Sequence, residues 1–369
     1  MASNIFKQMA SSGGIFRDES VLQPDFLPEE MPGRERQMRD LASFLQPVTR
    51  NQAPSSVLIV GSPGLGKTTM AKLVLKQLGE VSKRALPIYI NCWETSTRFG
   101  ILNELVTALG DMLPRRGIAV DEVVARLKEI GRREQCPLPI VVLDEVDRLL
   151  ASNAREDQVL YDLSRSAEAL GLPCAVIGIT NDVELPMKLD ARVRSSLTNH
   201  VINFSPYNPT ELKSILGERA KRAFQPSALD SEVIPLCAAV GAKAGGDARI
   251  SIHLLWAAAR AADSEGASKV GIAHVKAMQA SALEAAAIPA SRKINDLDEM
   301  DRKLVQLISK SADSGLSSGE LYAKLKAGEA EQRTLRNRLA RLEKGGLITG
   351  EEIDKAGGHT RRWKIRKTA

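Results

Sequence analysis

Five short runs of apolar residues rich in β-branched side chains, Val57–Val60, Pro87–Ile90, Ile140–Leu143, Ala175–Ile179 and Val201–Phe204, punctuate the first half of the chain. Between them, longer stretches repeat their apolar positions every three or four residues, the period of a helix with one buried face. This alternation predicts an α/β domain built on a mainly parallel, five-stranded sheet. Beyond Phe204 no strand pattern recurs until Leu347. Thr210–Arg222, Ser231–Val240, Ile250–Asp263 and Ile272–Ala287 are Ala-rich and helical in period, which predicts a small all-helical domain. Ile288–Asp296 holds Pro289 and Ser291 without apolar periodicity and reads as a linker.

A third unit follows. Met300, Leu304, Leu307 and Ile308 share one face of a helix over Asp298–Lys310, and Ser317-x-x-Glu320 is a capping box opening a helix that carries Leu321 and Leu325. Over Glu331–Lys344, Leu335, Leu339 and Leu342 fall on one side of a helix, with Arg333, Arg336, Asn337, Arg341 and Lys344 on the other. Leu347–Asp354 and Thr360–Arg366 then form a hairpin about Gly357-Gly358, with Arg361 and Arg362 beside its tip. Three helices and a basic hairpin make a winged helix. The resulting boundaries are a flexible segment over 1–20, the sheet domain over 21–206, the helical domain over 207–290 and the winged helix over 291–369.

The 369 residues are 43% apolar and 26% charged, as in folded globular proteins. No apolar run approaches membrane-spanning length, and the start MASNIFKQMASSGGIF lacks the basic and apolar regions of a secretory signal. A cytoplasmic protein without a membrane partner is therefore expected. The four cysteines and four histidines are scattered, without C-x-x-C or H-E-x-x-H spacing, which excludes thiol and zinc hydrolases and leaves buried thiols as the expectation. Net charge is +6, and Glu331–Ala369 alone carries eleven Lys/Arg against five Asp/Glu. Such a concentration suits a polyanion, usually nucleic acid, whose phosphates release counterions on binding. A solvated basic face is the alternative.

The chemistry begins at Gly61-Ser62-Pro63-Gly64-Leu65-Gly66-Lys67-Thr68, a complete G-x-x-x-x-G-K-T between a strand and a helical run. Its glycines let backbone N–H groups wrap phosphates, Lys67 reaches the β- and γ-phosphates, and the Thr68 hydroxyl can ligate Mg²⁺. Pro63, Gly64, Leu65, Gly66, Lys67, Thr68 and Thr69 are thus the expected nucleotide contacts. Ile140–Leu143 ends in Asp144 and Glu145, a Walker-B pattern in which Asp144 holds the Mg²⁺ shell and Glu145 orients or deprotonates the attacking water. Asn181, at the end of the Ala175–Ile179 strand, either senses the γ-phosphate or serves as a turn residue. Asp247 caps the helix that follows it, and Arg249 projects from the first turn. The implied ligands are ATP or ADP with Mg²⁺.

Gly61–Thr68, Leu143-Asp-Glu-Val-Asp147, Ile179-Thr-Asn181 and Gly246-Asp-Ala-Arg249, followed by a winged helix, resemble the archaeal origin-recognition initiators of the AAA+ superfamily. The resemblance spans nearly the whole chain and includes Phe16-Arg-Asp18, Arg34-Glu35, Leu189-Asp-Ala-Arg-Val193 and Phe204-Ser-Pro-Tyr207. It implies a P-loop AAA+ base domain, a helical lid and a winged-helix DNA-binding domain. By the same resemblance Asn181 is sensor 1 and Arg249 sensor 2, acting with Glu145, while Tyr207 and Arg219 contact nucleotide. A DNA-gripping insertion would fall within Trp93–Gly117, making Arg98, Arg115 and Arg116 candidates. On the winged helix, Arg333, Arg336, Asn337, Arg338 and Arg341 are expected in or near the major groove, with Arg361 and Arg362 on the backbone or minor groove.

Two positions depart from the pattern. Gly33 stands where many relatives have His, and Ser195-Ser196 stands where many AAA+ proteins carry the Ser-Arg of an inter-subunit finger, leaving Arg192 or Arg194 as candidates. The implied function is a weakly hydrolysing, ATP-dependent replication initiator, cytoplasmic and nucleoid-associated. It would bind origin double-stranded DNA and recruit or load the replicative helicase, with paralogous initiator subunits as further partners. The alternative is an ATPase-coupled winged-helix transcription regulator.

Overall fold

Val57–Val60 (β1), Ala85–Asn91 (β2), Leu138–Asp144 (β3), Ala175–Thr180 (β4) and Val201–Asn203 (β5) form one sheet in the order β2-β3-β4-β1-β5, every pair parallel. This is the five-stranded parallel sheet that the sequence predicts. The computed structural model describes residues 14–114, 117–134, 136–152, 158–295, 299–309, 315–324, 335–336, 338–339, 342–343, 348–355 and 358–365. Arg115, Arg116, Arg333, Asn337 and Arg341 lie outside the described residues. The chain divides into two compact units, Met1–Ala282 and Leu283–Ala369.

In the first unit, Glu35–Leu45 (α1), Lys67–Val81 (α2), Arg98–Ala108 (α3), Val120–Gly131 (α4), Asp147–Ser152 (α5), Gln158–Ser164 (α6) and Ala191–Leu197 (α7) accompany the sheet. Strands buried on both faces need no alternation of polar and apolar residues, and β1 and β4 are buried at every position. Val141 and Leu143 of β3 pack with Ile101, Leu102, Leu127 and Val159 in one continuous core. Because β1 lies between β4 and β5 while β2 lies at the far edge, the connections leave β1 and β4 toward different sides. A crevice opens beyond their carboxyl ends at such a reversal.

The lid comprises Pro209–Ala223 (α8), Val233–Lys243 (α9), Ala248–Ser264 (α10) and Ile272–Asn295 (α11). α8 starts with a capping box: Asn208 accepts from the Glu211 N–H at 2.9 Å, and Glu211 accepts from the Asn208 N–H at 2.8 Å, with Pro209 at the first helical position. Two expectations are corrected here. The linker over Ile288–Asp296 is helical to Asn295, because the Ala-rich run through Ala290 has helix propensity enough to carry the chain past Pro289. The flexible N-terminal segment is, over its described residues, fastened to the lid. Ile15 is buried, Phe16 stacks on Phe224 at 5.4 Å, and Glu19 accepts from Trp256 and Arg260, both at 2.6 Å.

The second unit holds Glu299–Ser309 (α12), Leu316–Ser317 (β6), Ser318–Lys324 (α13), Ile348–Lys355 (β7) and Gly358–Ile365 (β8). Its antiparallel sheet runs β6-β8-β7, a winged-helix arrangement whose third strand, β6, is too short to show as a pattern. The core joins Leu304, Ile308, Leu321, Leu335, Leu339, Leu342 and Trp363. The Ser317–Glu320 capping box closes as expected, at 2.8 and 3.3 Å. Asp301 is 0% exposed and accepts from Arg338 Nη1 at 2.8 Å. Among the described residues, no helix is long and apolar enough to cross a membrane.

Removing the carboxylate leaves Arg338 inside without that counter-charge. Asp301→Ala should therefore destabilise the second unit by about 3 kcal/mol, measured by denaturant unfolding followed through Trp363. An effect within ~0.5 kcal/mol would show that the pair contributes nothing.

Candidate functional site

The carboxyl ends of β1, β3 and β4 bring together the loop after Val60, the acids after Leu143 and Asn181. Gly64 and Gly66 turn the loop with φ of +76° and +85°, a region closed to most side chains. Neighbouring side chains crowd both positions as well. A Cβ on Gly66 would lie 3.0 Å from the Tyr207 hydroxyl, and one on Gly64 would overlap the Asp247 carboxylate.

Lys67 Nζ is folded onto its own loop, donating to the carbonyls of Gly61 at 2.7 Å and Ser62 at 2.8 Å, and to Asn181 Oδ1 at 2.8 Å. Burial lowers its pKa to about 8, with Arg249 adding to the fall and Glu145 and Asp144 opposing it. Thr68 Oγ1 donates to Asp144 Oδ2 at 2.8 Å. The other face of Asn181 donates to Glu145 Oε1 at 2.8 Å, so one amide joins the lysine to the acid. Glu145 itself is left-handed, φ +57°, a strain of order 1–3 kcal/mol that is common at functional sites. Behind them, Thr180 Oγ1 donates to Asp147 at 2.9 Å and accepts from the Asp182 N–H at 2.9 Å, which brackets Asn181 on both sides.

The lid reaches the same loop. Ala248 N–H donates to the Gly64 carbonyl at 3.1 Å, and Gly246, at φ +71°, packs against the Tyr207 backbone. Asp247 caps α10 as expected, accepting from the Arg249 N–H at 2.8 Å, and also holds the Arg249 guanidinium at 2.9 Å. Arg249 is otherwise exposed, at 57% of its side chain. Tyr207 is buried over Gly66, and burial raises its hydroxyl pKa. Arg219 points elsewhere: it donates to the Val21 carbonyl at 2.6 Å and lies 5.0 Å over Phe26, with burial lowering its pKa to about 10. Gly33 is left-handed at φ +78°, a backbone conformation that favours glycine, and a Cβ there would press on the movable carboxylate of Glu211 at 2.8 Å. Sequence reasoning assigns no role to Arg34, whose guanidinium is buried between the loop and the base–lid hinge. Its only signal was the Arg34-Glu35 pair.

Among the basic candidates, Arg98 is held inside the first unit by Asp162 at 2.6 Å. That ion pair ties α3 to α6 instead of presenting a free charge to solvent. Arg336 is exposed. Arg338 lies about 60° from Leu335 on the helical wheel, nearest the apolar face, and this turns it to Asp301. Arg361 and Arg362 sit in the body of the hairpin, opposite Glu352 and Glu351, instead of beside its tip. Arg361 also pairs with Glu343 at 3.0 Å. In α7, Arg192 and Arg194 are exposed, Arg192 pairing with Asp190 at 3.2 Å.

Residues 30–177 match the AAA ATPase domain family, and residues 213–280 match the Cdc6 AAA+ ATPase-type lid domain. An ORC1-type DNA replication protein of Pyrococcus furiosus is 33% identical over 383 residues, covering 99% of this chain and 90% of the relative. The ORC1-type DNA replication protein 1 of Sulfurisphaera tokodaii is 40% identical over 279 residues, covering 74% of this chain and 69% of the relative. The structure of the Aeropyrum pernix ORC1 protein in complex with DNA is similar at TM-score 0.78 and 32% identity, covering 95% of this chain and 94% of that one.

The Lys67 shift has a measurable sign. Between pH 8 and its ordinary value of 10.5, the folded state binds fewer protons at Lys67 than the unfolded state does. Folding stability should therefore rise across that window relative to Lys67→Met, and the two proteins should run parallel well below pH 8. Denaturant unfolding at a series of pH values makes the comparison. Parallel curves throughout would mean an unshifted lysine.

Proposed function

The chain belongs to the ORC1-type DNA replication proteins, and from that membership we propose that it is an ATP-switched initiator. In this reading it binds origin duplex DNA through its winged helix and base domain and helps recruit or load the replicative helicase. The observation that carries it is the convergence of Lys67, Thr68, Asp144, Glu145, Asn181 and Arg249 on one glycine-rich loop. Lys67 already spans three oxygen acceptors, the arrangement that phosphate oxygens would replace. Thr68 and Asp144, oxygen donors 2.8 Å apart, fit a hard cation and would hold Mg²⁺. The ion would supply charge neutralisation across the β- and γ-phosphates.

Glu145, placed by Asn181, orients the attacking water and takes its proton. Asn181 and Arg249 then read the γ-phosphate, Arg249 by leaving Asp247. Because Arg249 belongs to the lid and Lys67 to the base, a triphosphate engaged by both favours closure, and hydrolysis releases it. Turnover is slow, since Ser195-Ser196 supplies no arginine finger in trans and the cis groups alone give modest rates. Arg192 and Arg194 remain the groups that a paralogous subunit would meet. The exposed Arg336 and the basic excess over Glu331–Ala369 support contact with DNA, the ligand of the Aeropyrum pernix relative. The protein works in the cytoplasm at the nucleoid, with a base, a helical lid and a winged-helix domain.

Two measurements check this account. Glu145→Gln should retain ATP affinity and lower single-turnover hydrolysis at least about a hundredfold, whereas equal hydrolysis would remove Glu145 from the chemistry. Selection of bound genomic duplexes with ATP should enrich a motif at replication start sites, lost in Arg336→Ala/Arg341→Ala. Enrichment at promoters would favour a transcription regulator.

A further inference from the structure

Arg34 is 1% exposed, yet its guanidinium carries a full charge into the interior. Nε donates to the Leu65 carbonyl at 3.2 Å, Nη2 to the Ser205 carbonyl at 2.7 Å and Nη1 to the Gly33 carbonyl at 3.2 Å. The planar group lies 3.7 Å over the Tyr207 ring and 5.0 Å from that of Phe204. Its three acceptors are backbone carbonyls, and the rings add a cation–π attraction. A buried cation is costly to keep, and a hydrophobic residue would pack here without that cost. What the cation gains is control of two backbone segments at once.

The first segment is the phosphate loop. In a trans peptide the C=O and N–H point in opposite directions. Holding the Leu65 carbonyl on one side therefore aims the Gly66 N–H to the other. Gly66, at φ +85°, has the freedom to let that peptide flip if nothing holds it. The second segment is the connection between base and lid. Ser205 follows β5 by two residues, and Asn208, three residues further, caps the first lid helix. A guanidinium presents its donors in a fixed plane, so the two carbonyls are held in register with each other. The single ammonium of lysine has no such fork.

We propose that Arg34 is a positioning residue that aims the Gly66 N–H at the diphosphate of the nucleotide and ties that peptide to the base–lid hinge. The first half rests on the nucleotide reading of the preceding subsection. The second half does not. Arg34 thereby makes the loop selective for ligands that carry a diphosphate, and a monophosphate gains little from it.

Full-length wild type, Arg34→Lys and Arg34→Gln would be compared by calorimetric titration with ADP and AMP, and by amide hydrogen exchange without nucleotide. ADP affinity should fall at least about tenfold in both variants while AMP affinity stays within about twofold. Exchange should quicken over Gly61–Gly66 and over 203–207 together. A lowered melting temperature with unchanged ADP affinity and unchanged exchange in either segment would reduce Arg34 to a packing residue and overturn the proposal. Wild type that fails to bind ADP would instead defeat the nucleotide reading, leaving the exchange result to decide the tie to the hinge. Should both variants fail to fold, Tyr207→Leu, which removes the ring beneath the guanidinium, is read by the same exchange experiment. Quickening over both segments supports the tie, and quickening over 203–207 alone overturns it.

Discussion

A loop that turns its N–H groups toward an anion must place its carbonyl oxygens elsewhere, and each carbonyl kept from water needs a donor. That constraint organises this site. Lys67 takes the carbonyls of Gly61 and Ser62, Ala248 takes that of Gly64, Arg34 that of Leu65, and the first turn of α2 takes that of Gly66 through Met70. The donors come from three places: the first turn of helix α2, which holds Lys67 and Met70, Arg34 at the start of helix α1, and the lid. The shape of the phosphate loop is therefore a joint property of elements far apart in sequence.

The same arrangement explains how an event at the loop reaches the lid. Ala248 opens α10 and Asp247 caps it, so the Gly64 carbonyl is hydrogen-bonded to the helix that carries Arg249. Asp247 holds Arg249 in a pair on the lid itself, and Asn181 holds both Lys67 and Glu145. Each of these groups has an internal partner that a phosphate or a water would displace. In the proposed reading, displacement exchanges one set of hydrogen bonds for another, which makes the change inexpensive and reversible.

Much of this was legible in the chain. Five apolar runs located the five strands, and the motifs Gly61–Thr68 and Asp144-Glu145 picked out residues that the fold brings together at the carboxyl ends of β1 and β3, because both follow directly on buried strands. The burial of Arg34 and its bonds were not legible, since its acceptors, Leu65 and Ser205, lie far along the sequence and a single arginine has no periodicity. Sequence counts the charges of Arg338 and Arg98 without showing that each is paired with a carboxylate, Asp301 and Asp162. The helix through Pro289 was misread for a related reason: local breaker chemistry was outweighed by an Ala-rich run extending on its N-terminal side.

The central claim is that the loop and the lid respond together to the γ-phosphate. Spin labels on the exposed positions Gln77 of α2 and Ser264 of α10, in a Cys136→Ser background, would measure the base-to-lid distance. The account requires a shorter, narrower distance distribution with Mg²⁺ and a non-hydrolysable ATP analogue than with ADP. Superimposable distributions in the two states, with both nucleotides bound, would contradict it.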